Sequence, residues 1–286
     1  MNKLLLVVMA AVLLMFSCNN KKTRTVEPVV VGETTKDSVD RAEDEDSVPT
    51  DTLEQMIVQT PMPKVADELF DDFFFNFAAS RKLQRERTVF PFPIYRNGKT
   101  EYVSQGEWKM DHYFMPQGFY TLIFDEERDM EAVQDTSLNE AVVEKIYFNT
   151  GAVQRYHFLR RRGAWMLCEM KTEPLAENRN ASFLEFYHRF VTDSTFQAES
   201  LHDPVMFSGP DPDDDFARME GMITADTWPA FAPELPERML YNIVYGKPGE
   251  PHDTRIFLMR GIANGLEIEM SFRNMGGRWL LMKLTT

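Results

Sequence analysis

Cysteine is nearly absent: the 286 residues hold two, Cys18 and Cys168. That excludes a fold stapled by disulfides. A surplus of positive charge is missing as well. Lys and Arg number 31 against 45 Asp and Glu, a formal net charge of −14. This excludes a general nucleic-acid binder, which needs excess cations to neutralise phosphates. No apolar run reaches the ~20 residues of a membrane-spanning helix. There is no H-E-x-x-H, C-x-x-C, G-x-S-x-G, phosphate loop or dinucleotide fingerprint, so no cofactor is expected. What remains is ordinary globular composition, 43% apolar and 27% charged, over a length that fits two domains better than one.

The N-terminus reads as an address. Met1-Asn2-Lys3 is followed by an unbroken apolar run over 4–16 and then Ser17-Cys18. The run has the length of a secretory h-region. A small residue and a cysteine closing it resemble the lipobox of bacterial lipoproteins, in the looser form used by Bacteroidota. The resemblance implies a signal peptide at 1–17, cleavage before Cys18, and acylation that anchors the chain in a membrane. Acidic residues directly after the cysteine resemble a surface-export signal. Asn19-Asn20-Lys21-Lys22 lacks them, so the periplasmic face of the outer membrane is the expected location.

From 18 to 65 hydrophobic periodicity vanishes and Lys, Glu, Asp, Thr, Ser and Pro dominate. Such a segment buries too little apolar surface to fold. It is expected to be a disordered acidic tether, reaching roughly 40 Å by random-coil scaling. Asp37-Ser38-Val39, Asp46-Ser47-Val48 and Asp51-Thr52-Leu53 each resemble the Asp-(Ser/Thr)-aliphatic acceptor of Bacteroidota O-glycosylation, which makes Ser38, Ser47 and Thr52 candidate glycan sites.

The remainder reads as a duplication. At an offset of 113 residues, Phe70, Phe73, Phe74 and Phe77 align with Phe183, Phe186, Tyr187 and Phe190. Both sets have the i, i+3, i+4, i+7 spacing of an amphipathic helix. Gln84 aligns with Gln197 and Pro91 with Pro204, while Trp108 matches Trp228 at a longer offset. Ser182 and Glu185 read as a capping box at the second helix start. Near the ends, Phe158, Gly163 and Trp165 match Phe272, Gly277 and Trp279 at an offset of 114. Tyr156–Leu159 and Trp165–Met170 flank a turn at Arg161-Arg162-Gly163 and read as a hairpin. Leu266–Phe272 and Trp279–Leu284 read as its counterpart around Asn274–Gly277. Helices first and antiparallel strands last in each half predict an α+β fold, with domains at 66–176 and 177–286.

The two F-x-x-F-[FY]-x-x-F helices, the Gln-(x)6-Pro spacing after each and the two Gly-x-Trp hairpins resemble the cone fold of nuclear transport factor 2 and ketosteroid isomerase. More narrowly, they resemble a Bacteroidota lipoprotein family known as domain of unknown function 4348. The resemblance implies two tandem cone domains, each with N-terminal helices packed on a curved antiparallel sheet. Its motifs are packing motifs and carry little chemistry.

Candidate chemistry is sparse. The histidines are 112, 157, 188, 202 and 252, and none of the first four recurs at the matching repeat position. Pro210–Asp215 offers Asp211, Asp213 and Asp215 at alternate positions, as a calcium loop does, but Phe216 stands where the loop needs Gly. They are weak metal candidates beside the plainer reading of a solvated acidic loop. Arg160-Arg161-Arg162 reads as a solvated turn. Cys168, in an apolar strand, reads as a small buried side chain rather than a nucleophile.

The reading these features favour is a membrane-anchored envelope lipoprotein with no catalytic constellation. It would bind a ligand, glycan, peptide or protein partner. The alternatives are an acid–base enzyme using one cone cavity, with Asp111 or His157 and a tyrosine such as Tyr120, and a structural component of an envelope complex.

Overall fold

The computed structural model describes residues 67–286, apart from positions 212 and 251 and the side chains at 215 and 216. Cys18, Ser38, Ser47 and Thr52 lie outside the described residues, as do the expected signal peptide and tether.

Each half runs through the same order of elements. In the first, α1 (Phe70–Ala79) and α2 (Arg81–Arg87) precede strands β1 (Phe92–Arg96), β2 (Lys99–Val103), β3 (Phe119–Phe124), β4 (Glu140–Tyr147), β5 (Ala152–Arg161) and β6 (Ala164–Pro174). In the second, α3 (Ala181–Thr192) and α4 (Ser194–Glu199) precede β7 (Leu201–Asp211), β8 (Asp214–Ile223), β9 (Met239–Tyr245), β10 (Thr254–Gly261), β11 (Glu267–Met275) and β12 (Arg278–Thr285). The caps that separate each helix pair correspond as well. Ser80 accepts from the Leu83 amide and Asp193 from the Phe196 amide, 113 residues on. Such caps satisfy amides that a helix start leaves without partners. The capping box expected at Ser182 and Glu185 does not form. Helix α3 starts two residues earlier, after Asn180, and the Ser182 hydroxyl accepts from Trp279 Nε1 at 3.2 Å instead.

The two hairpins form as their turn residues demand. Arg162 and Gly163 take φ of 53° and 81° between β5 and β6, and Gly276 and Gly277 take 66° and 89° between β11 and β12. Both central residues therefore sit at positive φ, the geometry whose twist matches paired strands. A β-bulge falls at His157/Phe158 in the first hairpin and at Ser271/Phe272 in the second.

All twelve strands join one sheet in the order β2-β1-β6-β5-β4-β9-β3-β10-β11-β12-β7-β8. The middle of this order departs from simple succession. β4 pairs antiparallel with β9 of the second half, and β10 with β3 of the first, while β3 and β9 run parallel at the centre. The halves thus exchange their third strands. All described residues fall in one compact unit, and the sheet joins the two halves without a break through β4-β9-β3-β10.

Side-chain alternation lets the exchanged strands serve both cores. On central strands, successive residues face opposite sides. Leu122, Tyr241, Ile243 and Leu258 enter the core under α1, while Ile123, Leu240 and Phe257 enter the core under α3. Each helix is anchored by its aromatic stripe. Phe74 meets Phe70, Phe77, Tyr113, Phe114 and Phe158 at centroid distances of 5.0–6.1 Å. In the other half Phe183, Phe186 and Phe190 all meet Phe272.

Candidate functional site

A cavity opens where the halves meet. It has a volume of about 550 Å³ and is bounded by β3, β4, β9, the segment 177–180 before α3, and the loop 246–249 after β9. One row of residues across the sheet supplies its chemistry. Arg155 of β5 lies opposite Glu144 of β4, and Glu144 lies opposite Asn242 of β9. Directly opposed residues on neighbouring strands sit close enough to interact, and here they do. Glu144 Oε1 is 3.3 Å from Arg155 Nε and accepts from Asn178 Nδ2 at 3.0 Å. Its Oε2 accepts from Asn242 Nδ2 at 3.0 Å.

Glu144 is buried. Burial pushes its carboxyl above the usual glutamate range, and Asn242, Arg155 and Asn178 pull it partly back. Behind it, Glu173 takes Arg155 and Lys171, the latter at 2.9 Å. The opposite wall carries a second paired cluster. Asp125 sits 2.8 Å from both Arg179 and the buried Arg255, whose Nε donates to Asn180 Oδ1 at 2.9 Å. Arg179 also donates to the Gly249 carbonyl, tying down the 246–249 loop. Apolar surface from Ile123, Leu138 and Val244 fills the space between these clusters.

Glu144 has a sequence neighbour that serves the other face. Lys145 points to the α1 side and sits within 5.0–5.5 Å of the ring centroids of Tyr113, Tyr156 and Tyr241. Its ammonium lies 2.5 Å from Asp111 Oδ2, which also accepts from Tyr156 Oη at 3.2 Å. The acid–base alternative grouped Asp111 or His157 with Tyr120, and the structure distributes these residues differently. Tyr120 donates to Asp71 at 3.1 Å, and Asp111 is held by Lys145 and Tyr156. His157 is half-buried on β5 between Tyr156 and the bulge, and burial lowers its pKa.

Of the remaining candidates, Asp211 Oδ1 accepts from the Asp213 amide in the β7–β8 turn. The Asp215 side chain lies outside what is described, and among the described residues no group of three or more metal-ligating side chains assembles. Cys168 is a free, half-buried thiol whose pKa burial raises. Among the described residues no helix is long and apolar enough to cross a membrane.

Sequence reasoning passed over the Glu144 row entirely. The available signal was a charged pair, Glu144-Lys145, between Val142-Val143 and Ile146. Adjacent charges inside a strand that is otherwise apolar have to be paired on both faces if the strand is central.

The comparisons with known proteins agree with this architecture. A crystal structure of an NTF2-like protein from Bacteroides fragilis NCTC 9343 is 41% identical and superposes with a TM-score of 0.71, covering 79% of this chain and 98% of its own. No functionally curated protein matches. The model of the family described as a domain of unknown function (DUF4348) matches residues 49–286. The chain therefore belongs to the DUF4348 family, with an α+β fold of the NTF2-like kind.

Proposed function

We propose that this protein is a non-catalytic binding lipoprotein of the bacterial envelope, held at the membrane through Cys18, with the cavity between its halves as the binding site. The observation that carries the reading is the cavity itself, about 550 Å³ with a buried carboxylate in its wall. That volume lies within the range of small-molecule sites. The wall carboxylates support binding over proton transfer. Glu144 already accepts from two side-chain amides and is ion-paired with Arg155, and Asp125 is paired with two arginines. A general base needs a free lone pair aimed at its substrate. Paired charges of both signs, with amides from Asn178 and Asn180 among them, fit a small polar ligand rich in hydroxyl or amide groups.

A thermal-shift screen of sugars, amino acids and dipeptides tests this. Val244 lines the cavity without joining either ionic cluster, so Val244→Phe fills the space and leaves the charges in place. A saturable rise in Tm for the native protein, absent in the variant, is the expected result. No rise with any polar compound, or an equal rise in both proteins, refutes the assignment. Anchoring is tested separately, by incorporation of a clickable palmitate that Cys18→Ala abolishes. Intact mass of the mature protein from its host tests glycosylation at Ser38, Ser47 and Thr52.

A further inference from the structure

The sheet ends at β8, and among the described residues no strand pairs with its outer side. Backbone direction along this edge follows from one bond. The Thr286 amide donates to the Ser208 carbonyl at 3.0 Å, so Ser208 turns its backbone toward β12 and away from β8. Glu220 lies directly opposite Ser208. In an antiparallel ladder, opposed residues either bond each other or both turn away, and the two kinds alternate. Arg218, Glu220 and Met222 therefore aim their N–H and C=O groups outward, while Met219 and Gly221 turn theirs to β7.

Exposed apolar side chains gather at the same edge. Met206 and Met222, 51% and 70% exposed, lie directly opposite each other on one face of the β7–β8 pair. Met219 is exposed on the other face, and so is Phe231, which packs on Phe207 of β7 at 5.3 Å. Four of the seven exposed large hydrophobics among the described side chains thus sit on this strand pair or against it. A bare edge is a template for another strand, and clustered apolar exposure marks a contact surface. Charges of one sign would keep such an edge apart. β8 instead carries both signs on one face. Arg218 is fixed over β7, its Nε donating to Ser208 Oγ at 3.2 Å and its Nη2 to the main-chain oxygen of Thr286 at 2.9 Å. Glu220, two residues on, has no ion-pair partner among the described residues.

We infer that β8 is an interface for a second copy of this chain, pairing antiparallel with that copy's β8 about a two-fold axis at Met219. A two-fold contact sets each residue against its mirror position about the centre. Ladder bonds form only where outward-turned residues meet outward-turned residues. A centre at Met219 does this, and it places Arg218 of each copy opposite Glu220 of the other. Moving the centre by one residue either way keeps the bonds but sets Arg218 or Glu220 against itself. Opposite charges across neighbouring strands are favourable and like charges are not, so charge selects the Met219 register. The occupant is a second copy because in that register the strand is complementary to itself. The cavity beside Glu144 takes no part in the argument.

The test is disulfide cross-linking of the full chain in membranes, on a Cys168→Ser background, read as dimer yield above that parent. At the two-fold centre, Met219→Cys faces its own counterpart in a non-bonded pair, with Cα atoms about 4.5 Å apart, a separation that a disulfide spans. Met222→Cys is three residues from the centre, so its counterpart lies about 20 Å away along the strands. Met222 is the more exposed of the two, so random collision favours it, and the interface favours Met219. Mild oxidation is expected to give roughly tenfold more dimer from Met219→Cys than from Met222→Cys. Adding Glu220→Arg to Met219→Cys sets like charges across the axis and should cut the yield roughly fivefold or more. Adding Arg218→Glu as well exchanges the charges and should restore the yield to within about twofold. No dimer from Met219→Cys overturns the inference. So does an equal or greater yield from Met222→Cys, or a charge-exchanged chain that stays as low as Glu220→Arg alone.

Discussion

Asp71 offers the sharpest test of how the halves are joined. It sits in the first turn of α1, 8% exposed, and accepts from Tyr245 Oη of β9 at 2.5 Å and Tyr120 Oη of β3 at 3.1 Å. One helical carboxylate thus pins α1 to both exchanged strands. Burial raises its pKa above the ordinary 3.8, outweighing the two tyrosines and Arg260 that favour the anion. The folded state therefore holds this proton more tightly than the unfolded chain does. The linked stabilisation is complete below the unfolded-state pKa and is lost as pH rises through the folded-state pKa.

Asp71→Asn keeps an acceptor oxygen for one hydroxyl, turns an amide donor toward the oxygen of the other, and carries no charge. A tenfold difference in proton affinity corresponds to about 1.4 kcal/mol. The variant is accordingly expected to be more stable than the native protein at pH 7, by on the order of 1 kcal/mol. Below the ordinary aspartate pKa the advantage should vanish. Asp71→Leu differs in kind, because it strands two buried phenolic hydroxyls at roughly 1–3 kcal/mol each. Its expected loss is roughly 2–6 kcal/mol at every pH where the tyrosines stay neutral, and Tm falls by roughly 2–4 °C per kcal/mol in a fold of this size. Urea denaturation of the three proteins between pH 3.5 and 8 reads all of this. A native-minus-Asn difference that stays flat with pH, or an Asn variant clearly less stable at pH 7, would mean that Asp71 is held as a favoured anion. The reasoning about burial would then be wrong.

Other consequences are simpler to state. Fragments 67–176 and 177–286 each lack the strand that should pair with their fourth, β9 for β4 and β3 for β10. Neither is expected to give cooperative melting alone, and mixing them should restore it by circular dichroism. Phe74→Ala removes a fully buried ring in contact with five other aromatics and should lower unfolding free energy by about 3–5 kcal/mol. Arg255→Met breaks a buried ion pair with Asp125. It is expected to lose about 3 kcal/mol in chemical denaturation, Arg179 retaining part of the pairing. Cys168, with its pKa raised, should react with a disulfide reagent at pH 7 more slowly than free cysteine, and denaturant should remove the difference.

The helices and hairpins were legible because their signals are local. F-x-x-F-F-x-x-F places four rings on one side of any helix that carries it, and Arg162-Gly163 permits the tight turn wherever its strands lie. The exchange of β3 and β9 was not legible. The stretch Leu240-Tyr241-Asn242-Ile243-Val244-Tyr245 alternates identically whether its neighbour is β10 or β4, so partner choice rests on loops and cores that no short window contains. The Ser182 box failed for a related reason. The S-x-x-E pattern records what the hydroxyl can do locally, and the indole of Trp279, 97 residues away, competes for it. Glu144 was hidden because its three partners, one cation and two amide donors, come from β5, β9 and the segment before α3, which meet only once the halves have joined.

A protein built from two like halves carries its own control. Where matched residues are satisfied in the same way, as with Ser80 and Asp193 at their helix caps, the shared geometry is accounted for by folding alone. Where one half meets a need that the other leaves open, folding has already shown that the need can be met. Gln197 pairs with Trp228, while Gln84 is spent on the backbone of Asp111, and the Gln-to-Trp interval is seven residues longer in the second half. The shorter loop brings Asp111 against Gln84 and next to Lys145, and it leaves the Trp108 N–H facing no protein acceptor. Lengthening the first loop by seven residues to match the second should therefore let Gln84 reach Trp108. The altered protein should gain stability in urea denaturation. An unchanged midpoint would mean that loop length is not what keeps Gln84 from Trp108.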